Sequence, residues 1–265
     1  LDQIGEKMAG RVVLSGDVVV KAVKDGKTTL SAKFDNGAYD IDPKEVEIEG
    51  PLEAFWGEGV TISGVNLKGN LRKSTTRFTI EKDVTVLVSA DLQPSWAFDE
   101  ERAEMNVTAG GPMDIDLAQS LLSFGGGVKV TRGKSEITCN ELRLAYAVKG
   151  DPKTTGPRDW ELKSVELNGA AKVSTPVLAA DAEFILWDAE SLRAQVKGMP
   201  GKITFAKDTI VAPEIEARMS DKHVVESVTC LGAGTAEVAS VKGIVAAPDA
   251  QATAEPLMVS WGQSA

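Results

Sequence analysis

A period of two in the hydrophobic pattern, repeated along most of the chain, is the feature that most limits the folds open to this sequence. Glu45-Val46-Glu47-Ile48-Glu49 sets an acid at every second position with an apolar residue between. A strand points successive side chains to opposite faces, so this run is a wet face over a dry one. The same alternation gives Leu30, Ala32 and Phe34 against Thr29, Ser31 and Lys33. It gives Leu192, Ala194 and Val196 against Arg193, Gln195 and Lys197, and Ile215, Ala217 and Met219 against Glu214, Glu216 and Arg218. Leu142, Leu144 and Tyr146 form a further dry set, as do Val84, Val86 and Val88. Turn signals fall between the runs at Asp25-Gly26, Asp35-Asn36-Gly37, Arg132-Gly133-Lys134 and Pro200-Gly201. Many short strands at this spacing point to an all-β fold: a sandwich, barrel, jelly roll or β-solenoid. Helix is expected only in short pieces, at Leu1–Met8, at Pro94–Glu104 behind a Ser95 cap, and at Asp114–Leu122.

A second, longer period overlies the first. A glycine recurs between alternating runs, in LSGDVVV (14–20), IEGPLEA (48–54), FGGGVKV (124–130), LNGAAKV (167–173), VKGMPGKI (196–203) and CLGAGTAEV (230–238). The glycines Gly16, Gly50, Gly126, Gly169, Gly198 and Gly232 lie 34, 76, 43, 29 and 34 residues apart. The long gap is consistent with one unit that has lost its glycine. Such a loose repeat predicts stacked β units, each glycine sitting where a strand bends or bulges.

Composition removes several function classes. A net charge of −10 leaves no basic face for phosphate, so nucleic acid is not an expected partner. The single histidine, His223, excludes a His-rich zinc site and falls in a polar turn. Gly125-Gly126-Gly127 and Gly232-Ala233-Gly234 are not followed by a helical pattern, so they read as bulges or tight turns rather than phosphate cradles. The acids Asp40, Asp42 and Glu45, and Asp114 with Asp116, lack the glycine and distal glutamate of a calcium loop and read as solvated turns. Asn106-Val107-Thr108 has the form of a glycosylation acceptor, relevant only in a eukaryotic secretory route. Five scattered tryptophans and 5% aromatic residues argue against a sugar-stacking platform. No catalytic group, metal or cofactor is expected, and the chain is not expected to be an enzyme.

No run of 18 apolar residues is present. The sequence starts at Leu1 without a signal pattern, from which removal of an N-terminal leader or anchor is expected. Cys139 and Cys230 lie next to strand patterns and read as two small buried thiols, with a disulfide left open. The expected organisation is an N-terminal β module at 11–148 and a linker or long loop at 149–158 (KGDPKTTGPR). A C-terminal module follows at 159–243, then a tail at 244–265 ending in a possible edge strand, Leu257–Trp261.

The repeated unit resembles the OstA-like family of periplasmic lipopolysaccharide transport, which includes the LptA- and LptC-like β-jelly rolls. The pattern is G-x-V-x-V, a turn, L-x-A, then an aromatic and an Asp. Gly16-Asp17-Val18-Val19-Val20, Leu30-Ser31-Ala32 and Tyr39-Asp40 follow it. So do Leu178–Phe184, Trp187-Asp188, Val196–Pro200 and Ile210-Val211-Ala212. Ile137–Leu142 departs by placing Cys139 where a small Ala is usual, and Leu71–Gly110 fits poorly. The resemblance implies an elongated, twisted antiparallel β-jelly roll, as one run or two stacked modules. It implies a periplasmic protein, soluble after signal cleavage or tethered to the inner membrane. It further implies shielding of the acyl chains of lipopolysaccharide or a similar lipid in an apolar trough, and edge-strand pairing with other β-jelly-roll transport proteins. On this reading Leu142, Leu144, Phe184, Leu186, Ile203, Phe205 and Ile215 line the trough. The alternative is a secreted or surface β-repeat scaffold with a closed core.

Overall fold

Alternating sequences without helical stripes leave the backbone little choice but inter-strand hydrogen bonds. The computed structural model describes residues 10–24, 27–57, 59–72, 75–92, 103–148, 160–205, 208–220, 225–238 and 257–262. The strands are β1 (Arg11–Lys24), β2 (Lys27–Asp40), β3 (Glu45–Trp56), β4 (Val60–Asn70), β5 (Arg77–Val88), β6 (Met105–Ala109), β7 (Met113–Asp116), β8 (Leu121–Phe124) and β9 (Val128–Arg132). They continue as β10 (Ser135–Cys139), β11 (Glu141–Val148), β12 (Trp160–Ser174), β13 (Leu178–Asp188), β14 (Arg193–Phe205), β15 (Asp208–Met219), β16 (Val225–Leu231), β17 (Gly234–Val238) and β18 (Leu257–Trp261). The one helical turn among the described residues is the 3-10 segment Ala90–Leu92. The all-β, antiparallel class expected from the alternation is the class observed.

Contacts divide the chain into two compact units, Leu1–Gly133 with Glu141–Lys163, and Lys134–Asn140 with Ser164–Ala265. In the first, β1 to β5 form a meander, each strand antiparallel to the next. Beyond β5 each strand path breaks in two. Val84–Val88 of β5 pairs with β6 and β6 with β9, whereas Arg77–Ile80 of β5 pairs with β7, β7 with β8 and β8 with β11. In the second unit β12 to β15 form a meander. There too β15 splits its pairing, Glu214–Met219 with β16 and Thr209–Val211 with β17.

The line that divides these arms is a crease of bulges, and the repeat glycines mark it. Register slips occur between Ser15 and Val18 on β1, between Ile48 and Pro51 on β3, and between Asn168 and Ala171 on β12. Gly16, Gly50, Gly126, Gly169 and Gly232 all have φ between 70° and 86°, the left-handed region that favours glycine. The long gap in the repeat also finds its missing unit. On β5 the slip falls between Lys82 and Thr85, opposite Val65 and Ser63, and Asp83 there has φ 54°. Asp tolerates this conformation better than most residues, so a strand can crease without glycine. Asn66, at φ 58° on the neighbouring β4, ties the same place together. Its Oδ1 accepts the Gly50 N–H at 2.8 Å and its Nδ2 donates to Glu81 at 2.9 Å.

The crease explains which side chains are dry. In the first unit Phe34, Leu52, Ile62, Val84, Val107 and Val130 are buried on one arm, and Ile48, Ile80, Met113, Phe124 and Leu142 on the other. With so little helix among the described residues, the dry face of each arm is covered by the other, in two layers. In the second unit Leu167, Ile185, Val196 and Ile215 are buried on one arm, and Ala171, Ala182, Ile203 and Ala212 on the other.

Three expected local features differ. Asp114–Leu122 is a β7–β8 hairpin rather than a short helix; Asp116 Oδ1 accepts the N–H groups of Ala118 and Gln119 and closes the turn. Asp35-Asn36-Gly37 and Pro200-Gly201 lie inside β2 and β14, at the crease, instead of ending strands. Turn-type residues there relieve a bend, and the ladder resumes on the far side. The expected helices at Leu1–Met8 and over most of Pro94–Glu104, His223, the linker at 149–158 and residues 244–256 of the expected tail lie outside the described residues. Leu257–Trp261 is a strand, paired with β17.

The crease gives a graded prediction. A Cβ at Gly16 meets nothing within 4 Å, whereas at Gly126 it falls 2.3 Å from the Gly111 backbone nitrogen. Gly16→Ala is expected to cost about 1–2 kcal/mol from the left-handed conformation alone. Gly126→Ala adds a backbone clash and is expected to cost about 2–5 kcal/mol. Urea unfolding of the two variants measures the difference.

Candidate functional site

The inward rows of the two units are apolar throughout, but they are not equally covered. On the first unit, one inward row runs across β1, β2 and β3 as Val18–Phe34–Leu52, Val20–Ala32–Ala54 and Ala22–Leu30–Trp56. At the crease Phe34 is 6% exposed. Outward along the same row Val20 is 43% and Leu30 42% exposed, and on the other arm Val12, in register with Tyr39, is 37% exposed. Leu14, Val18, Tyr39, Val46 and Trp56 are half-buried. The dry interior of the first unit therefore closes over β5 to β9 and β11 and opens at the β1–β2 end, leaving an apolar mouth. No side chain with a formal charge belongs to these β1–β3 rows.

The seven expected lining residues fall in both units. Leu142 is buried and Leu144 half-buried on one face of β11, in register with Phe124 and Leu122. Ile203 and Ile215 are fully packed core residues of the second unit. Phe205 is half-buried at the far end of the β14 inward row, opposite Leu178 and Asp208. Phe184 and Leu186 stand on the face of β13 opposite to buried Ile185 and Trp187, beside Asn168, Lys197, Glu166 and Gln195. The cause is the crease. Three steps on β12, Asn168 to Ala171, face two on β13, Phe184 to Ala182. β13 has no bulge of its own there, so its buried set changes parity from Ala180 and Ala182 to Ile185 and Trp187. The mouth residues of β1 escaped the alternation because Val12-Val13 and Val18-Val19-Val20 are apolar on both faces.

Three of the acids considered for calcium, Asp40, Asp114 and Asp116, have structural partners. Asp40 faces Arg11 at 3.7 Å, and Asp114 faces Arg77 at 3.2 Å and accepts the Thr79 hydroxyl. Among the described residues no group of three or more His, Cys, Asp or Glu is placed to hold a metal ion. Hydrogen bonds from Lys68 and Asn66 hold the Glu81 carboxyl below its ordinary range, on an exposed surface. Neither cysteine forms a disulfide: Cys139 is buried, and Cys230 is half-buried with its thiol pushed up by burial. No helix among the described residues is long and apolar enough to cross a membrane, which leaves crossing by strands unaddressed.

Fold and site together define an all-β antiparallel protein with creased strands and an apolar interior open at one end of its first unit. No family model and no curated protein matches the sequence. Among solved structures the chain is similar to LptH, the LptA-homologous periplasmic component of the lipopolysaccharide transport device of Pseudomonas aeruginosa. The TM-score is 0.36 and the identity 17%, over 60% of this chain and 95% of that one.

One inward residue titrates in a telling way. Burial, and then the Asp116 charge, push the Tyr146 phenol up to about 12. The unfolded phenol ionises near 10, so the Tyr146 contribution is complete below pH ~10 and is lost as pH rises toward 12. Tyr146→Phe is expected to flatten the fall in urea stability between those values, and absorbance at ~295 nm should show one phenol ionising near 12 in the native chain.

Proposed function

We propose that this chain is a non-catalytic periplasmic lipid carrier that shields the acyl chains of lipopolysaccharide or a similar lipid against its inward apolar rows. The observation that carries the proposal is the uncovered β1–β2 end of the first unit. Val12, Val20 and Leu30 share rows with core residues yet stay open to water, where each is a standing hydrophobic cost. An acyl chain laid along these rows removes that cost, while a polar headgroup stays in solvent at the open side. Leu144 and Phe205, half-buried ends of inward rows, are the expected lining residues best placed to touch such a chain. On this reading free strand edges are the surfaces by which the carrier meets other β-jelly-roll proteins. The tightly packed centres around Ile80 and Ile215 favour a second reading, a scaffold whose interior is closed to ligands.

Photo-reactive residues separate the two. Placed at Val20, Leu30 or Leu144 in a lipopolysaccharide-producing cell, they are expected to capture lipid, while Lys33 and Glu53, on the outward face, capture none. Equal labelling at both faces, or none at either, contradicts carriage and leaves the scaffold.

A further inference from the structure

The inward rows of the first unit pass from wet to dry over a short distance, and one side chain stands at the change. On β2 Leu30 is 42% exposed, Ala32 is half-buried and Phe34 is 6% exposed. These three span about 13 Å of strand. In front of Phe34 the row is Val20–Ala32–Ala54, and its two alanines leave room that longer side chains would fill. On the far side the interior is shut: Leu52, the register partner of Phe34 on β3, is buried, and so is Ile48 on the other arm.

Phe34 reaches across the crease. It is the last β2 residue in register on its arm before the slip, and Gly37, on the other arm, is in register with Ile48. A Cβ at Gly37 would fall 2.7 Å from the Phe34 Cε2 atom, so the ring lies against bare glycine backbone on the opposite arm. A single aromatic ring, seated on both arms, thus stands between the open rows and the packed core.

We propose that Phe34 is the depth stop of the β1–β2 mouth and sets the length of hydrocarbon chain that the mouth accepts. The proposal rests on the carrier reading above. A chain entering past Leu30 and Ala32 gains about fourfold in affinity with each methylene it buries. Once its end meets the ring the gain ceases, because further carbons stay in water. Phe34 therefore determines specificity by length, through a wall rather than a polar contact.

Titration calorimetry of the full chain with a homologous series of straight-chain fatty acids, each below its micelle concentration, tests the stop. The natural chain is expected to bind each longer homologue about fourfold tighter per added carbon up to a limiting length, and no tighter beyond it. Phe34→Ala leaves an apolar space joined to the mouth. It should move the limit to longer homologues, the first past the natural limit gaining about fourfold. Phe34→Leu keeps more of the packing and should move the limit less far. Leu52→Ala opens space on the core side of the ring and should leave the limit where it is, whereas a general loosening of the fold would move it. Circular dichroism reports folding, and Phe34→Leu carries the test if Phe34→Ala does not fold. A natural chain without a limiting length, a limit unmoved by the Phe34 variants, or one moved as far by Leu52→Ala would overturn the stop and leave the carrier reading standing. A natural chain that binds no fatty acid of any length contradicts the carrier reading, and the stop with it.

Discussion

The need to keep backbone N–H and C=O groups paired while a sheet folds over its own core governs this molecule. A strand of 11–15 residues cannot turn sharply without losing ladder bonds. Here it turns where one strand carries extra residues and its neighbour does not, so pairing resumes beyond the bend. Everything else follows from that line of bulges: the two arms, the interior between them, and the parity switch that sends alternate halves of one strand to opposite sides. The same device recurs in each unit, with a positive-φ glycine at most crossings and Asp83 taking its place at one.

The crease also sets where the interior is closed. Side chains next to it are squeezed by both arms and are fully buried, as Ile48, Leu52, Val84 and Phe124 show. Side chains further out depend on neighbouring strands for cover. On β5 to β9 and β11 of the first unit that cover is present. On β1 and β2, at the rim of the sheet, it is missing, and inward rows that begin as core end as exposed apolar surface. An apolar mouth thus arises from the geometry of the fold, with no charged group added to make it, which suits a ligand with long hydrocarbon chains.

Much of this was legible in the sequence. Period-two alternation identifies the strands, because burial on one face needs every second residue apolar. The glycine repeat identifies the crease, because left-handed backbone selects glycine, and the over-long gap between Gly50 and Gly126 left room for a unit without its glycine, which rests on Asp83. What alternation cannot reveal is a change of face inside one strand. Leu178–Trp187 reads as a single dry stripe through Ala180, Ala182, Phe184 and Leu186, yet the bulge on β12 moves its second half to Ile185 and Trp187. Nor can it rank covered against uncovered positions: Leu30 and Phe34 share one row in the sequence and differ only in what lies over them. Strand β1, with valines on both faces, carries too little contrast for its inward side to be read at all.

The central claim, that the interior accepts lipid, is tested most directly by native mass spectrometry of the chain recovered gently from a lipopolysaccharide-producing cell. The account predicts a population heavier than the bare polypeptide by the mass of a lipid with several acyl chains, reduced when Val20 and Leu30 are replaced by glutamate. Only the mass of the bare chain, before and after incubation with such lipid, would contradict it.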